Sequence, residues 1–313
     1  VSIDEVAVYD RQIRLWGLEA QQRMRNATIL VLRLKGVATE TIKNIVLAGI
    51  GKLILVDTDD VSAEDLGAGF FFRDEDVGKK RVEAAKPHIE SLNPLVTVEV
   101  LQDPSLLDGD GLDNLIKGVD LVCVTDWDRE GLTRINDVCR RHSKPFYAGG
   151  TFGLFGYIFC DLLQHDYISP YVPLDRSAPA GKETVQKNVK LTAAYVPLSE
   201  ALEHRWKGLT RKQTKELNPA AVFSVMGEFS RARDMLECVI ESLTAVLSCL
   251  THEHCRTIAT TAAHELSPVC AVVGGMLAQD ILKALAAREP PIANFFTFDG
   301  STGGGTVIRM SMP

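Results

Sequence analysis

Cysteine pairs are what this sequence most plainly lacks. Its seven cysteines (Cys123, Cys139, Cys160, Cys238, Cys249, Cys255 and Cys270) are odd in number, scattered, and contain no C-x-x-C. That argues against a disulfide framework and a zinc ribbon and fits a reducing compartment. An excess of basic charge is missing too. Lysine and arginine number 34 against 41 acidic residues, a net charge of −7, which is the wrong sign for a chain whose main partner is nucleic acid. Long apolar runs are short supply as well: the longest, Val269 to Ala278, contains two glycines and spans about ten residues against the roughly twenty that cross a bilayer. No membrane span is expected. The opening VSIDEVAVYDRQ has no basic-then-apolar order of a signal peptide. What is present is 313 residues with 46% apolar and 24% charged composition. That is enough for a sizeable core in about two domains, or in one α/β domain with insertions.

Alternation begins at Thr28. A β-branched run (28–32), an amphipathic stretch (37–48) closed by Gly49 and a second apolar run (52–56) make a βαβ unit. Helical patterns at 79–92, 111–117 and 129–141 then alternate with strand patterns at 96–101, 119–125 and 145–148. This order predicts a doubly wound, mainly parallel Rossmann-like sheet, with ligands at the carboxyl ends of its strands where the strand order reverses. The loops after Leu32, Val56 and Thr125 are therefore the candidate site. TFGLFGYIFCDL, from Thr151, reads as antiparallel strands. The expected division is an arm and Rossmann-like part over 1–168, a flexible loop over 169–188, and a helical segment with antiparallel terminal strands over 189–313. In that last part helical periodicity resumes at Ser199, runs through 234–250 and is strongest at 267–287, where Gly274-Gly275 permits close packing in a core or at an interface.

A phosphate-binding βα turn needs several glycines, because backbone must approach the phosphates closely. Here the turn reads Arg33-Leu34-Lys35-Gly36-Val37-Ala38 and keeps only one. It either merely connects strand to helix or holds phosphate through the charges of Arg33 and Lys35. Asp57 ends the second strand, where a carboxylate would accept from a ribose or simply form a turn. Asp126 follows the strand ending VCVT, placed for a magnesium ion or as the N-cap of the next helix. His252-Glu253-His254-Cys255 has metal-ligand residue types but no matching pair at a standard spacing, and His264-Glu265-Leu266 is no H-E-x-x-H because position 268 is proline. A solvated loop is the better reading of the first, and no metal site is expected. Near the amino terminus, YDRQIRLWG puts Arg11 and Arg14 three apart on one helical face beside Trp16; composition alone reads it as a solvated amphipathic helix.

At this point the sequence resembles a family. YDRQIRLWGLEAQQRM, then LRLKGVATE and the helix TIKNIVLAG, look like the activating enzymes of ubiquitin-like proteins and their bacterial relatives MoeB and ThiF. The late segment SPVCAVVGGMLAQDILKALAAREPPIANFFTFDG resembles the smaller, non-cysteine subunits of SUMO-activating heterodimers more than their longer NEDD8 counterparts. The likeness covers Tyr9 to about Asp166 and about Tyr195 to Gly300.

The resemblance implies an adenylation fold whose own nucleotide site is vestigial. Active members have a glycine-rich turn where this chain has Arg33, Gly36 and Ala38, and an Asn-Leu-x-Arg-Gln run contacting ATP where it reads Asp65-Leu66-Gly67-Ala68-Gly69. Asp57 and Asp126 match the family's ribose and magnesium aspartates, and Arg81 stands at a phosphate-contacting lysine. The zinc pairs and the Cys-Thr thioester motif are absent. The arginine of Y-[DNS]-R-Q, which in the family reaches the γ-phosphate of ATP in the partner subunit, is here Arg11, with Arg14 assisting or pairing with a surface carboxylate. The implied role is that of a regulatory half of a heterodimer. ATP and Mg are then bound by a homologous, cysteine-bearing partner, SUMO and the conjugating enzyme are met through the complex, and the site of action is nuclear as well as cytoplasmic. A self-sufficient MoeB-like homodimer, a NEDD8-type subunit, a nicotinamide oxidoreductase and a catalytically silent scaffold are the alternatives.

Overall fold

The apolar runs TILVL, KLILV and LVCVT become β1 (Thr28–Leu32), β2 (Lys52–Val56) and β4 (Leu121–Thr125). Near-continuous apolar character is what a parallel strand covered on both faces requires. With β3 (Thr97–Leu101) and β5 (Phe146–Phe152) they form a parallel block in the spatial order β5-β4-β1-β2-β3. The strand order reverses between β1 and β4. Three antiparallel strands, β6 (Phe155–Asp161), β9 (Phe295–Asp299) and β10 (Gly304–Ile308), extend the β5 edge to eight strands. A separate ribbon pairs β7 (Gln164–Tyr171) with β8 (Lys187–Ala194). The computed structural model describes residues 3–171, 187–204, 222 and 260–313.

Alternate strand residues feed two cores. Ile29, Val31, Leu53, Leu55 and Cys123 face one side, where α4 (Gly36–Leu47), α5 (Arg81–Leu92) and α9 (Ser267–Ala286) cover them. Leu30, Leu32, Ile54, Val122 and Val124 face the other, under α6 (Gly109–Lys117) and α7 (Arg129–Arg141). α1 (Ile3–Val8), α2 (Asp10–Trp16) and α3 (Leu18–Asn26) form the amino-terminal arm, and α8 (Leu198–Leu202) packs beside α7.

The apolar run at 269–278 is part of a longer helix, and two other sequence expectations need correction. The helix α9 is 20 residues long and apolar enough, by length and composition, to cross a membrane. It is instead a core helix crossing α4, and burying each of its Leu277 and Ile281 side chains contributes about 1.5–3 kcal/mol. The glycine pair in it splits: a Cβ on Gly274 would lie 2.6 Å from the Glu40 Cβ and 2.8 Å from the Val37 carbonyl, whereas one on Gly275 meets nothing. Finally, the ends of the expected loop 169–188 are strand, since Ser169 belongs to β7 and pairs with Val189 of β8; residues 172–186 lie outside the described residues. So do the helical stretch at 234–250 and the His252–Cys255 cluster. The described cysteines, Cys123, Cys139, Cys160 and Cys270, are buried and free, and burial pushes the Cys123 and Cys270 thiols up to about 12, which makes them core residues and poor nucleophiles.

Candidate functional site

The switch point between β1 and β4 brings Arg33 and Asp126 together. Arg33 is held at φ 66, the left-handed region that favours glycine. Its Nη1 donates to the Asp126 carbonyl at 2.8 Å, and its guanidinium lies 5.6 Å from the centre of the Trp127 ring. Three backbone donors of the turn are engaged internally. The Arg33 N–H goes to the Val56 carbonyl, the Leu34 N–H to Asp57 Oδ2 at 2.7 Å, and the Gly36 N–H to Glu265 Oε1 at 3.0 Å. The N-terminus of α4, where folds of this kind present N–H groups to phosphate, is thus occupied by a carboxylate of the chain itself.

Asp57 is consumed as well, because its second oxygen accepts the Asp59 N–H. Beside it the buried Arg81 donates to both oxygens of Asp65 at 3.0 and 3.2 Å and to Asp59 at 3.1 Å, and lies 3.6 Å from Asp57. Burial works against the Arg81 charge, yet Asp65, Asp57 and Asp59 outweigh it and raise its proton affinity. Arg81 and Asp57, expected as remnants of a nucleotide site, are therefore partners in a closed ionic network.

Asp126 is not the N-cap of α7. That place belongs to Asp128, whose carboxylate accepts the Gly131 N–H at 2.8 Å. Asp126 sits at φ 49 with Oδ1 accepting from the Thr151 N–H, while its buried Oδ2 has no partner among the described residues. Burial first, then the nearby Glu265, push its carboxyl up to about 7. These groups line a cavity of about 510 Å³ with Lys35, Trp127 and His264. Glu265, which sequence inspection weighed only as part of a zinc motif, closes this site from 229 residues away. Among the described residues no group of three His, Cys, Asp or Glu side chains is arranged to hold a metal ion.

Arg11 lies elsewhere. Its helix α2 buries none of its residues, and Arg11 is exposed with no hydrogen-bond or ion-pair partner for its guanidinium among the described residues. Arg14 does pair with a surface carboxylate, Asp10, at 2.9 Å. The arm is seated at the C-terminal end of α4, through Tyr9 against Gly49 and through Gln21, which donates to the Ala48 carbonyl. Ala38 is buried in the first turn at the other end of that helix.

A model of the ThiF family matches residues 9–313. The chain belongs to the ThiF family. SUMO-activating enzyme subunit 1 of Xenopus tropicalis is 34% identical to it over 98% of this chain and 96% of that protein. The Homo sapiens protein of the same name is 33% identical over 98% and 95%. The DNA damage tolerance protein rad31 of Schizosaccharomyces pombe is 32% identical over 99% and 98%. The match to the family includes both the altered turn and Tyr9, the first residue of the arginine motif.

Proposed function

We propose that this chain is the non-cysteine subunit of a heterodimeric SUMO-activating enzyme, and that it supplies Arg11 in trans to ATP bound by a homologous, cysteine-bearing subunit. The observation that carries the reading is the separation of arm and turn. They sit at opposite ends of α4, whose 12 residues span about 18 Å, well beyond the reach of one arginine side chain. A free guanidinium held there serves a nucleotide that is not in this chain's own turn. That turn is a poor fit for ATP and Mg: Arg33 stands where bare backbone is needed, three N–H groups are engaged, and Asp57 and Arg81 hold each other.

Adenylation of a ubiquitin-like C-terminus sends a carboxylate against the α-phosphate and expels pyrophosphate. A planar, permanently charged guanidinium on the leaving group stabilises charge where it accumulates. In this reading Arg11 does that work, Arg14 stays with Asp10, and the thioester step belongs to the partner. The similarity to proteins named SUMO-activating enzyme subunit 1 over nearly the whole chain supports the choice of ubiquitin-like protein.

The test is ATP–pyrophosphate exchange with SUMO present. The isolated chain should give none and the heterodimer should exchange. The assembled Arg11→Ala heterodimer should lose on the order of 10²-fold, the size expected for one lost charge-stabilising donor. Robust exchange by the isolated chain would replace this reading with a self-sufficient homodimer, and an unaffected Arg11→Ala complex would leave a scaffold.

A further inference from the structure

We propose that Tyr9 is a positioning residue that aims Arg11. The proposal rests on the in-trans reading of Arg11 and goes on to say what fixes the geometry of that arm. A helix with no fully buried residue, whose core contact is the partly buried Trp16 at its last position, has little hydrophobic face to orient it, and a helix of 7 residues has little intrinsic stability in water. Its direction must be set at its ends.

At the leading end stands Tyr9, only 3% exposed, two residues before an exposed arginine. The ring lies on Gly49, which holds φ +84; a Cβ on that glycine would meet the Tyr9 ring and hydroxyl oxygen at 2.4 to 2.8 Å. The seat therefore exists only because residue 49 has no side chain. The Tyr9 hydroxyl accepts from the Nδ2 of buried Asn93 at 2.7 Å, and Asn93 also donates to the Val46 carbonyl at 2.8 Å. Tyr9 is thereby tied to the end of α4 and the end of α5. Its backbone carries the same constraint into the arm, since its N–H donates to the Glu5 carbonyl and its carbonyl accepts the Ile13 N–H at 2.9 Å.

The trailing end is held more lightly. Gly17 kinks the chain at φ 90, the Arg288 guanidinium lies 3.4 Å from where its Cβ would be, and the Trp16 indole donates to Gln21 at 3.4 Å. Of the two ends only Tyr9 is buried and adjacent to Arg11. Losing its ring leaves Arg11 present but unaimed, and misplacement by about 1 Å is enough to cost on the order of 10²-fold in a chemical step.

The experiment uses the full-length heterodimer and compares Tyr9→Ala, Tyr9→Phe, Arg11→Ala and the Tyr9→Ala/Arg11→Ala double variant in ATP–pyrophosphate exchange, with assembly checked by gel filtration. Tyr9→Ala should lower kcat on the order of 10²-fold with KM for SUMO unchanged. Tyr9→Phe, which keeps the ring in its seat, should restore most of it. In the Arg11→Ala background Tyr9→Ala should change nothing further, because it acts only through that guanidinium; a merely structural role would lower activity in both backgrounds. Should Tyr9→Ala fail to assemble, Tyr9→Leu takes its place in the same cycle. Hydrogen exchange of residues 10–16 in the isolated chain should rise in Tyr9→Ala and not in Tyr9→Phe. Full activity in Tyr9→Ala alongside a loss in Arg11→Ala overturns the positioning role alone, as does additivity in the double variant. An Arg11→Ala complex with unchanged kcat overturns the in-trans reading and this proposal with it.

Discussion

The carboxylate of Glu265 accepts the backbone N–H of Gly36 at 3.0 Å, so a side chain from the loop before α9 caps the helix that follows the first strand. Folds of this class use such a helix end for phosphate, because its free N–H groups and its dipole both favour negative charge. The chain thus carries its own anion at the place where a nucleotide would put one.

Two obstacles then stand in the turn, and they should act together. Arg33→Gly removes a side chain from a left-handed backbone position but leaves Glu265 in place; Glu265→Ala frees the Gly36 N–H but leaves Arg33. Thermal unfolding with millimolar ADP should show no rise in Tm for the natural chain or for either single variant. The Arg33→Gly/Glu265→Ala double variant should show one, since a ligand that binds only the folded state stabilises it by mass action. A clear rise in the unaltered chain would mean that the turn is open after all.

The buried network around Arg81 predicts a stability effect with no catalytic component. Arg81→Ala leaves Asp57 and Asp65 buried without their cation, and breaking a buried pair by removing one partner costs about 3–5 kcal/mol. Urea denaturation should show that loss as a lower midpoint at unchanged slope. A change under 1 kcal/mol, within the usual range of surface pairs, would show that water reaches these carboxylates.

What the sequence disclosed, and what it withheld, follows from the range of the interactions. The parallel strands were legible because β1, β2 and β4 are nearly continuous apolar runs, and α9 because Ser-Pro opens it and Arg-Glu-Pro-Pro follows its end. Which of Asp126 and Asp128 caps α7 depends on two residues of register at the helix start. Sequence pattern does not resolve that, and geometry does: Asp128 is extended at φ −71 and ψ 162, Asp126 left-handed at φ 49. The pairing of Glu265 with Gly36 left no local signal at all. For Arg81 the family pattern named the position but not the acid that claims it, because Asp65 comes near only once the β2–α5 connection has folded back. The seat of Tyr9 was half visible, as the first letter of a motif; its other half is a glycine 40 positions later.

Asp280 predicts a pH dependence. Its carboxylate is buried in α9, accepting the Tyr147 hydroxyl at 2.8 Å and the Ile292 N–H at 2.8 Å. Burial outweighs those bonds and pushes the group up to about 6. A carboxyl whose folded value lies above its unfolded one stabilises fully below the unfolded value, and that contribution is lost as pH rises through the folded value. The unfolding free energy of the natural chain should therefore fall relative to Asp280→Asn between about pH 4 and pH 7, by on the order of 2 kcal/mol. Asp76, whose carboxyl is held low by the Lys79 hydrogen bond, acts in the opposite sense but equally in both proteins, so it drops out of the difference. Parallel pH profiles for the two would show that Asp280 ionises normally.

Adjacent glycines of α9 should respond with opposite signs. At Gly274 a methyl group would meet backbone of α4, the Val37 carbonyl at 2.8 Å and the Thr41 nitrogen at 3.1 Å. Neither can rotate away, so the two helices must part. Overpacking of this kind costs about 1–3 kcal/mol, and Gly274→Ala should lower Tm by several degrees. Gly275 has open space around its Cβ position, and there alanine replaces the poorest ordinary helix former with the best, a gain of about 0.5–1 kcal/mol. Calorimetry on the two single variants separates these effects without any assay of function. Equal losses at both positions would place α9 in a different rotation about its axis, and with it Glu265, which the start of that helix carries to the turn.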